Sequence, residues 1–207
     1  MSSGAGTKGV PRAEREEQIL DLAAREFGMH GYAGASVATI AQLAGVSKPL
    51  IYNYFRSREG LHLACVHRAG ERLVPAVRSA QRDVSAAERA TATIVAIVTA
   101  LADRRHDWHL LYDPTLPDTG AVAEAAHGYR KALNEMGAHG VAHALARTGS
   151  TDPTDNALLT RIWFGTVTAV IDWWTEHPEV ATAEMITRCT RVFALLEPRS
   201  PDAGQHP

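Results

Sequence analysis

Two groups of side chains in this sequence have types and spacings that could do chemistry. His106 and His109 stand three apart, and His139 and His143 four apart, separations at which two imidazoles on one helical turn can share a metal ion. Neither pair has an evident third ligand, and no His-Glu-x-x-His, Gly-x-Ser-x-Gly or phosphate-loop pattern accompanies them. Histidines at a surface or lining a pocket are the favoured reading, so no catalytic residue, metal or cofactor is assigned. The second group lies between Ser36 and Arg58, where Lys48 and Tyr52 have no evident structural duty and Arg56 and Arg58 add positive charge. Exposed cations beside an aromatic hydroxyl suit contact with a polyanion. The two cysteines, Cys65 and Cys189, lie far apart in apparent helices and read as buried thiols.

The elements that position the second group are short. Ser36 is a good N-cap for a helix whose apolar residues Val37, Ile40, Ala41, Leu43 and Ala44 recur at helical spacing, and Gly45 ends it. Ser47 or Lys48 caps a second helix with Pro49 in its first turn, where a missing N–H leaves no hydrogen bond unmade. Two short helices about a tight turn form a helix-turn-helix, whose second helix enters the DNA major groove. Ile40, Ala44, Val46, Ile51 and Phe55 are its expected core, and Tyr54 is expected to pack. A preceding helix from about Arg12 to His30 is stopped by Gly31, and only Glu26 interrupts its apolar face. A long helix opens near Ser57-Arg58-Glu59, with Pro75 as a possible kink.

The 207 residues, 45% of them apolar, suffice for a substantial core. The net charge of −2 divides only weakly, with seven basic against six acidic residues in the first sixty, so local placement carries the argument. The run Ile94 to Leu101 is far shorter than the roughly 20 residues of a membrane span, and a cytoplasmic protein is expected. Beyond Ser85 no stretch alternates at period two, and the body reads as all-α. Ala86 to Arg104 holds a helix apolar nearly all round, the expected centre of the body. Shorter or glycine-bent helices follow over Asp107–Tyr112 and Gly120–Arg147. Two final helices carry broad apolar stripes. The first includes Ile162, Gly165, Thr166, Ala169, Val170 and Trp173; the second places Met185, Ile186, Cys189, Val192, Phe193 and Leu196 at the spacing of a bundle seam. An aromatic set with few charges, Trp108, His109, Tyr112, Tyr129, Met136, His143, Trp163, Phe164 and Trp173, would suit a flat or apolar organic molecule.

The stretch Ser36-Val-Ala-Thr-Ile-Ala-Gln-Leu-Ala-Gly-Val-Ser-Lys-Pro-Leu-Ile-Tyr-Asn-Tyr-Phe-Arg-Ser-Arg-Glu-Gly-Leu61 resembles the N-terminal domain of the tetracycline-repressor (TetR) family. The resemblance implies an all-α protein of about nine helices. A tail over residues 1–11 precedes a three-helix DNA-binding domain over 12–58, a ligand-binding and dimerisation domain over 59–197, and a second tail over 198–207. It further implies a transcriptional regulator, usually a repressor, that binds double-stranded operator DNA as a homodimer through its last two helices and is released by a small-molecule effector. Ser36 and Thr39 become candidates for phosphate contact, Lys48, Pro49 and Leu50 for base edges, and Tyr52, Asn53 and Arg58 for phosphate. Ser47, wanted as a cap in any case, completes this set. Arg58 stands where the family commonly has lysine, and Pro49 where a small residue is frequent. Two other readings stay open: a helical DNA-binding regulator that answers to no ligand, and a helical enzyme or binding protein using its histidine pairs.

Overall fold

The structure, a computed structural model, describes residues 10–82, 84–85 and 88–194. Among them the chain is all-α, with α1 (Arg12–Gly34), α2 (Val37–Leu43), α3 (Lys48–Phe55), α4 (Arg58–Ala80), α5 (Arg89–Ala100), α6 (Asp107–Tyr112), α7 (Ala121–Ala146), α8 (Pro153–Glu176) and α9 (Thr182–Ala194). The expected tails over 1–11 and 198–207 lie outside the described residues, except Val10 and Pro11. Internal contacts divide the chain into two compact units. One runs up to Val74 and takes in Asp103–Ala132; the other comprises Pro75–Ala102 and the residues from Leu133 onward. The boundary expected after residue 58 is therefore displaced. Cys65, Val66, Ala69 and Leu73 of α4 are wholly buried and α6 packs on α1, so most of α4 and all of α6 belong with the helix-turn-helix.

In the first unit, Ile19, Ala23 and Phe27 of α1, Ile40 of α2, Ile51 of α3 and Leu61 and Cys65 of α4 form a core with almost no exposed surface. Burial of this apolar set is the main force holding these four helices together. Cys65 is a thiol buried as expected, and burial pushes its pKa up, which keeps it protonated. Glu26, the apparent flaw in the apolar face of α1, accepts a hydrogen bond from the Ser36 backbone N–H at 2.9 Å. Its carboxylate thus satisfies a donor at the start of α2.

The stop expected at Gly31 is a break inside α1. Its torsions are φ 71° and ψ 171°, and a Cβ there would lie 2.8 Å from Thr115 Oγ1, so both backbone and space require glycine. The break deprives Tyr32 and Ala33 of helical acceptors, and the loop after α6 replaces them. Asp113 Oδ2 accepts from the Tyr32 N–H and Thr115 Oγ1 from the Ala33 N–H. Asp113 is in turn held by the Thr115 N–H and hydroxyl, at 2.7 and 2.8 Å. Farther along α1, Arg68 of α4 reaches Asp21 at 2.7 Å, Glu17 at 3.2 Å and the Leu20 carbonyl at 3.0 Å, and Arg104 reaches Asp21 at 2.9 Å.

In the second unit α5 packs on α9. The expectation of a helix buried all round is corrected: α5 buries Thr93, Ile94, Ile97 and Val98, while Thr99 is exposed and Val95 and Ala96 are half-buried. Met185, Cys189 and Phe193 of α9 are at most 4% exposed, and the Phe193 ring meets Trp163 edge-on at 6.0 Å. These three residues pack inside the subunit, which corrects their assignment to a seam between subunits. Trp174 is fully buried, with its indole N–H donating to the Val180 carbonyl at 2.9 Å. α8 leaves Leu158, Ile162 and Trp173 exposed and α9 leaves Val192 exposed. Gly165 and Ala169 are exposed between them, Thr166, Val170 and Ile186 are half-buried, and Leu196 lies outside the described residues.

Candidate nucleic-acid interface

Local chemistry shapes the motif. The Ser36 hydroxyl accepts from the Thr39 N–H at 3.3 Å and the Ser47 hydroxyl from the Leu50 N–H at 3.3 Å, so each serine caps the helix it begins. Pro49 occupies the first turn of α3, and Gly45, at φ 63°, makes the turn between the helices. Ile51 and Phe55 face the core. Lys48, Pro49 and Asn53 are consequently exposed, with Leu50 and Tyr52 half-buried beside them. Thr39 is exposed on α2 and Ser36 half-buried. Eight of the nine candidate DNA-facing residues are therefore exposed or half-buried on the motif.

The ninth is half-buried too, but placed differently. Arg58 turns inward, where its guanidinium donates to the Tyr32 and Ala35 carbonyls, the latter at 3.3 Å. It also lies 4.7 Å from the Tyr32 ring centroid and 5.5 Å from that of Phe27. One guanidinium nitrogen, Nη2, donates to both carbonyls while the planar group lies over two rings, a geometry the charge alone does not reveal. The expected phosphate contact is thus corrected to a strut that ties the start of α4 to the kink of α1.

Behind this strut His62 is fully buried with neither ring nitrogen hydrogen-bonded among the described residues, and it meets Phe27 and Tyr32 edge-on at 4.4 and 5.1 Å. Burial pushes its pKa down to about 4; Asp113 opposes the shift and Arg58 adds to it. Asp107 of α6 is 1% exposed, and burial raises its carboxyl to about 6 against the pull of Arg68, Arg104 and Arg72.

Two features near α3 escaped the sequence reading. Arg12, at the start of α1, seats its guanidinium 5.0 Å from the Tyr54 ring centroid, so Tyr54 packs under a cation. Arg56, just past α3, has φ 68° and ψ −45°, and the Ser57 N–H donates to the Phe55 carbonyl at 2.8 Å across it. That is a γ-turn in the rare, strained hand. Nothing in the residue types signals it, because an arginine is an unusual occupant of positive φ.

The aromatic candidates for a ligand site do not form one lining. In the first unit Trp108 and Tyr112 stack at 4.4 Å, whereas the Tyr129 ring packs against Gly70 and its hydroxyl lies 3.0 Å from His67 Nδ1. His109 is half-buried at the side of α6. An open cavity of this unit, between the loop after α6 and the start of α7, is lined by polar residues including Asp113, Asp118, Glu124, His127 and Arg130, and by none of the aromatic set. In the second unit Trp163 and Phe164 crowd Gly137, Met136 is half-buried, Trp173 stacks on His177 at 4.1 Å, and His143 meets His139 at 4.3 Å on an exposed stretch. No cluster of three or more metal-ligating side chains occurs among the described residues. No helix among them is long and apolar enough to cross a membrane.

The family described as bacterial regulatory proteins, tetR family, matches residues 19–65, which run from α1 through the interface into α4. The HTH-type transcriptional activator FasR of Mycolicibacterium smegmatis is 44% identical over 73 residues, 35% of this chain and 33% of FasR, so the match spans a third of that relative's length. A TetR-like transcriptional regulator from Rhodococcus sp. RHA1 superposes with a TM-score of 0.65 at 26% identity, covering 89% of this chain and 96% of that one. AibR, solved in complex with isovaleryl coenzyme A and operator DNA, shares the fold at a TM-score of 0.69 and 20% identity over 89% of this chain and 99% of its own. Residues 19–65 thus carry the N-terminal motif of the tetR family of bacterial regulatory proteins, and the chain shares the fold of a TetR-like regulator over nearly its whole length.

Proposed function

We propose that this chain is a DNA-binding transcriptional repressor that grips a palindromic operator as a homodimer and releases it when a small organic effector enters its helical body. The observation that carries the reading is the exposed, core-anchored surface of α3, where Lys48, Pro49 and Asn53 stand free while Ile51 and Phe55 fasten the helix from behind. One such head offers few contacts. Two related by a two-fold axis would read half-sites about one helical turn apart and double the binding energy.

The dimer surface in this reading is the exposed stripe of α8 and α9, with Leu158, Ile162, Trp173 and Val192 as its large apolar residues. Exposed apolar side chains on two helices favour burial against a partner, and a Cβ added at Gly165 would meet nothing within 4 Å, leaving room for a helix to approach. For the effector, AibR's isovaleryl coenzyme A makes acyl thioesters the class to test beside flat aromatic compounds. An effector acts only by favouring one arrangement of the heads over the other, so tight binding without loss of DNA affinity counts against the reading.

The test is a quantitative gel shift on a duplex selected from a random-sequence library by the wild-type chain. Two chains should bind per duplex, with log affinity falling against log salt with a slope of about −4 to −7 if each head neutralises two to four phosphates. Lys48→Ala should weaken binding about tenfold, the lower range for a lost base contact, and Tyr52→Phe should weaken it less. Unchanged binding by both variants, or a flat salt response, would overturn the assignment of this surface.

A further inference from the structure

We propose that Arg56, at the γ-turn closing α3, is the residue that holds the C-terminal end of the recognition helix against a DNA phosphate, in the place vacated by the inward-turned Arg58. This inference rests on the DNA-binding reading above and adds a contact to it. α3 has eight residues, so it is about 12 Å long, close to the roughly 12 Å width of the major groove. A helix of that length laid across the groove brings each end near a sugar-phosphate backbone. Lys48 stands at one end. The other end presents carbonyl groups, whose partial negative charge repels phosphate unless a cation intervenes.

Three residues near that end could supply that cation, and Arg12 is already seated over the Tyr54 ring at 5.0 Å. Arg58 is committed to the Tyr32 and Ala35 carbonyls and to two aromatic rings. Arg56 is exposed, and its guanidinium has no ion-pair or hydrogen-bond partner among the described residues. Its backbone is also strained, since φ 68° with ψ −45° is a conformation that glycine tolerates and side-chain-bearing residues avoid. The surroundings enforce the turn. A Cβ at Gly60 would lie 2.1 Å from the Phe55 carbonyl oxygen, so the chain doubles back tightly on itself there. A glycine at 56 would serve the fold better than arginine, and what the arginine offers instead is a charge at the end of the helix.

The fold and the contact therefore respond in opposite directions to one substitution. Arg56→Gly should leave the thermal midpoint of the full chain unchanged or higher, because the strain is relieved. The same variant should bind the selected duplex about tenfold more weakly, with a salt slope shallower by about 0.9 for each head. Arg56→Lys should keep the wild-type slope. An Arg56→Gly chain with unaltered affinity and slope would overturn this contact while leaving the DNA-binding reading intact, as would a fall in thermal midpoint with unaltered slope. Failure of the wild-type chain to select any duplex would instead overturn the DNA-binding reading itself.

Discussion

Replacing Arg58 with alanine is expected to destabilise the chain by about 2–4 kcal/mol while leaving the salt dependence of DNA binding nearly unchanged. Each charged hydrogen bond from the guanidinium is of order 1.5–3 kcal/mol, and truncation leaves the Tyr32 and Ala35 carbonyls with a partner removed in a half-buried setting. The contacts over Tyr32 and Phe27 add to the loss. Lysine would restore the charge but only part of the stability, because a compact ammonium lacks the planar surface that lies over two rings while Nη2 donates to both carbonyls. Denaturant unfolding of wild type, Arg58→Ala and Arg58→Lys, paired with salt-dependent gel shifts, tests this directly. Unaltered stability with a slope shallower by about one per head would show that Arg58 meets phosphate after all. The strut also bears on how the head is held, since it joins the first turn of α4 to the break in α1 that Asp113 and Thr115 secure from the other side.

A second large effect is expected from acidification, and His62 is its source. Its folded-state pKa of about 4 lies below the ordinary histidine value of 6.5, so between these limits the unfolded chain takes up a proton that the folded chain refuses. The stability due to neutral His62 is fully present above pH 6.5 and is lost as the pH falls toward 4, by about 3 kcal/mol in all. His106 shifts in the same direction, down to about 4, chiefly by burial with His109 and nearby arginines adding to it, but it is only half-buried and contributes less. Asp107 works the other way. With its carboxyl at about 6, the folded chain holds a proton that the unfolded chain has lost, which favours the fold as the pH drops below 6.

Comparison of wild type with His62→Leu separates these opposing terms. The leucine chain should be at least as stable at pH 7, because two buried ring nitrogens without hydrogen-bond partners give way to an apolar side chain of similar volume. Between pH 6.5 and 4 it should lose about 3 kcal/mol less than wild type when unfolded in urea at a series of pH values. Parallel losses in the two chains would place the acid sensitivity elsewhere.

The interface and the body differ in how far residues spaced a few positions apart can define them. Ser36 and Ser47 as caps, Pro49 in the first turn of α3, and Ile51 and Phe55 as anchors are matters of neighbours one to four positions apart. Helical periodicity and capping act over that range, so the sequence carries them in full. Tyr54 illustrates the limit. Its packing role is local, but the cation above it comes from Arg12, 42 positions earlier. The body was less legible for the same reason. An apolar stripe such as Met185, Cys189 and Phe193 fits any apolar neighbour, and periodicity does not say whether that neighbour is a helix of the same subunit or of another.

By itself the sequence determined that the chain is all-α over its described length, that it carries a helix-turn-helix, and which family's motif that segment matches, because these follow from local spacing and from a motif of contiguous residues. Tertiary structure alone decided which cation faces outward. Arg58 and Arg56 differ by two positions and not at all in side chain; one is drawn inward by carbonyls left open where α1 ends, and the other is held at the surface by a turn that Gly60 permits. Those partners are brought together only when α1, α3 and α4 close on their common core, and no local pattern in the chain records the meeting.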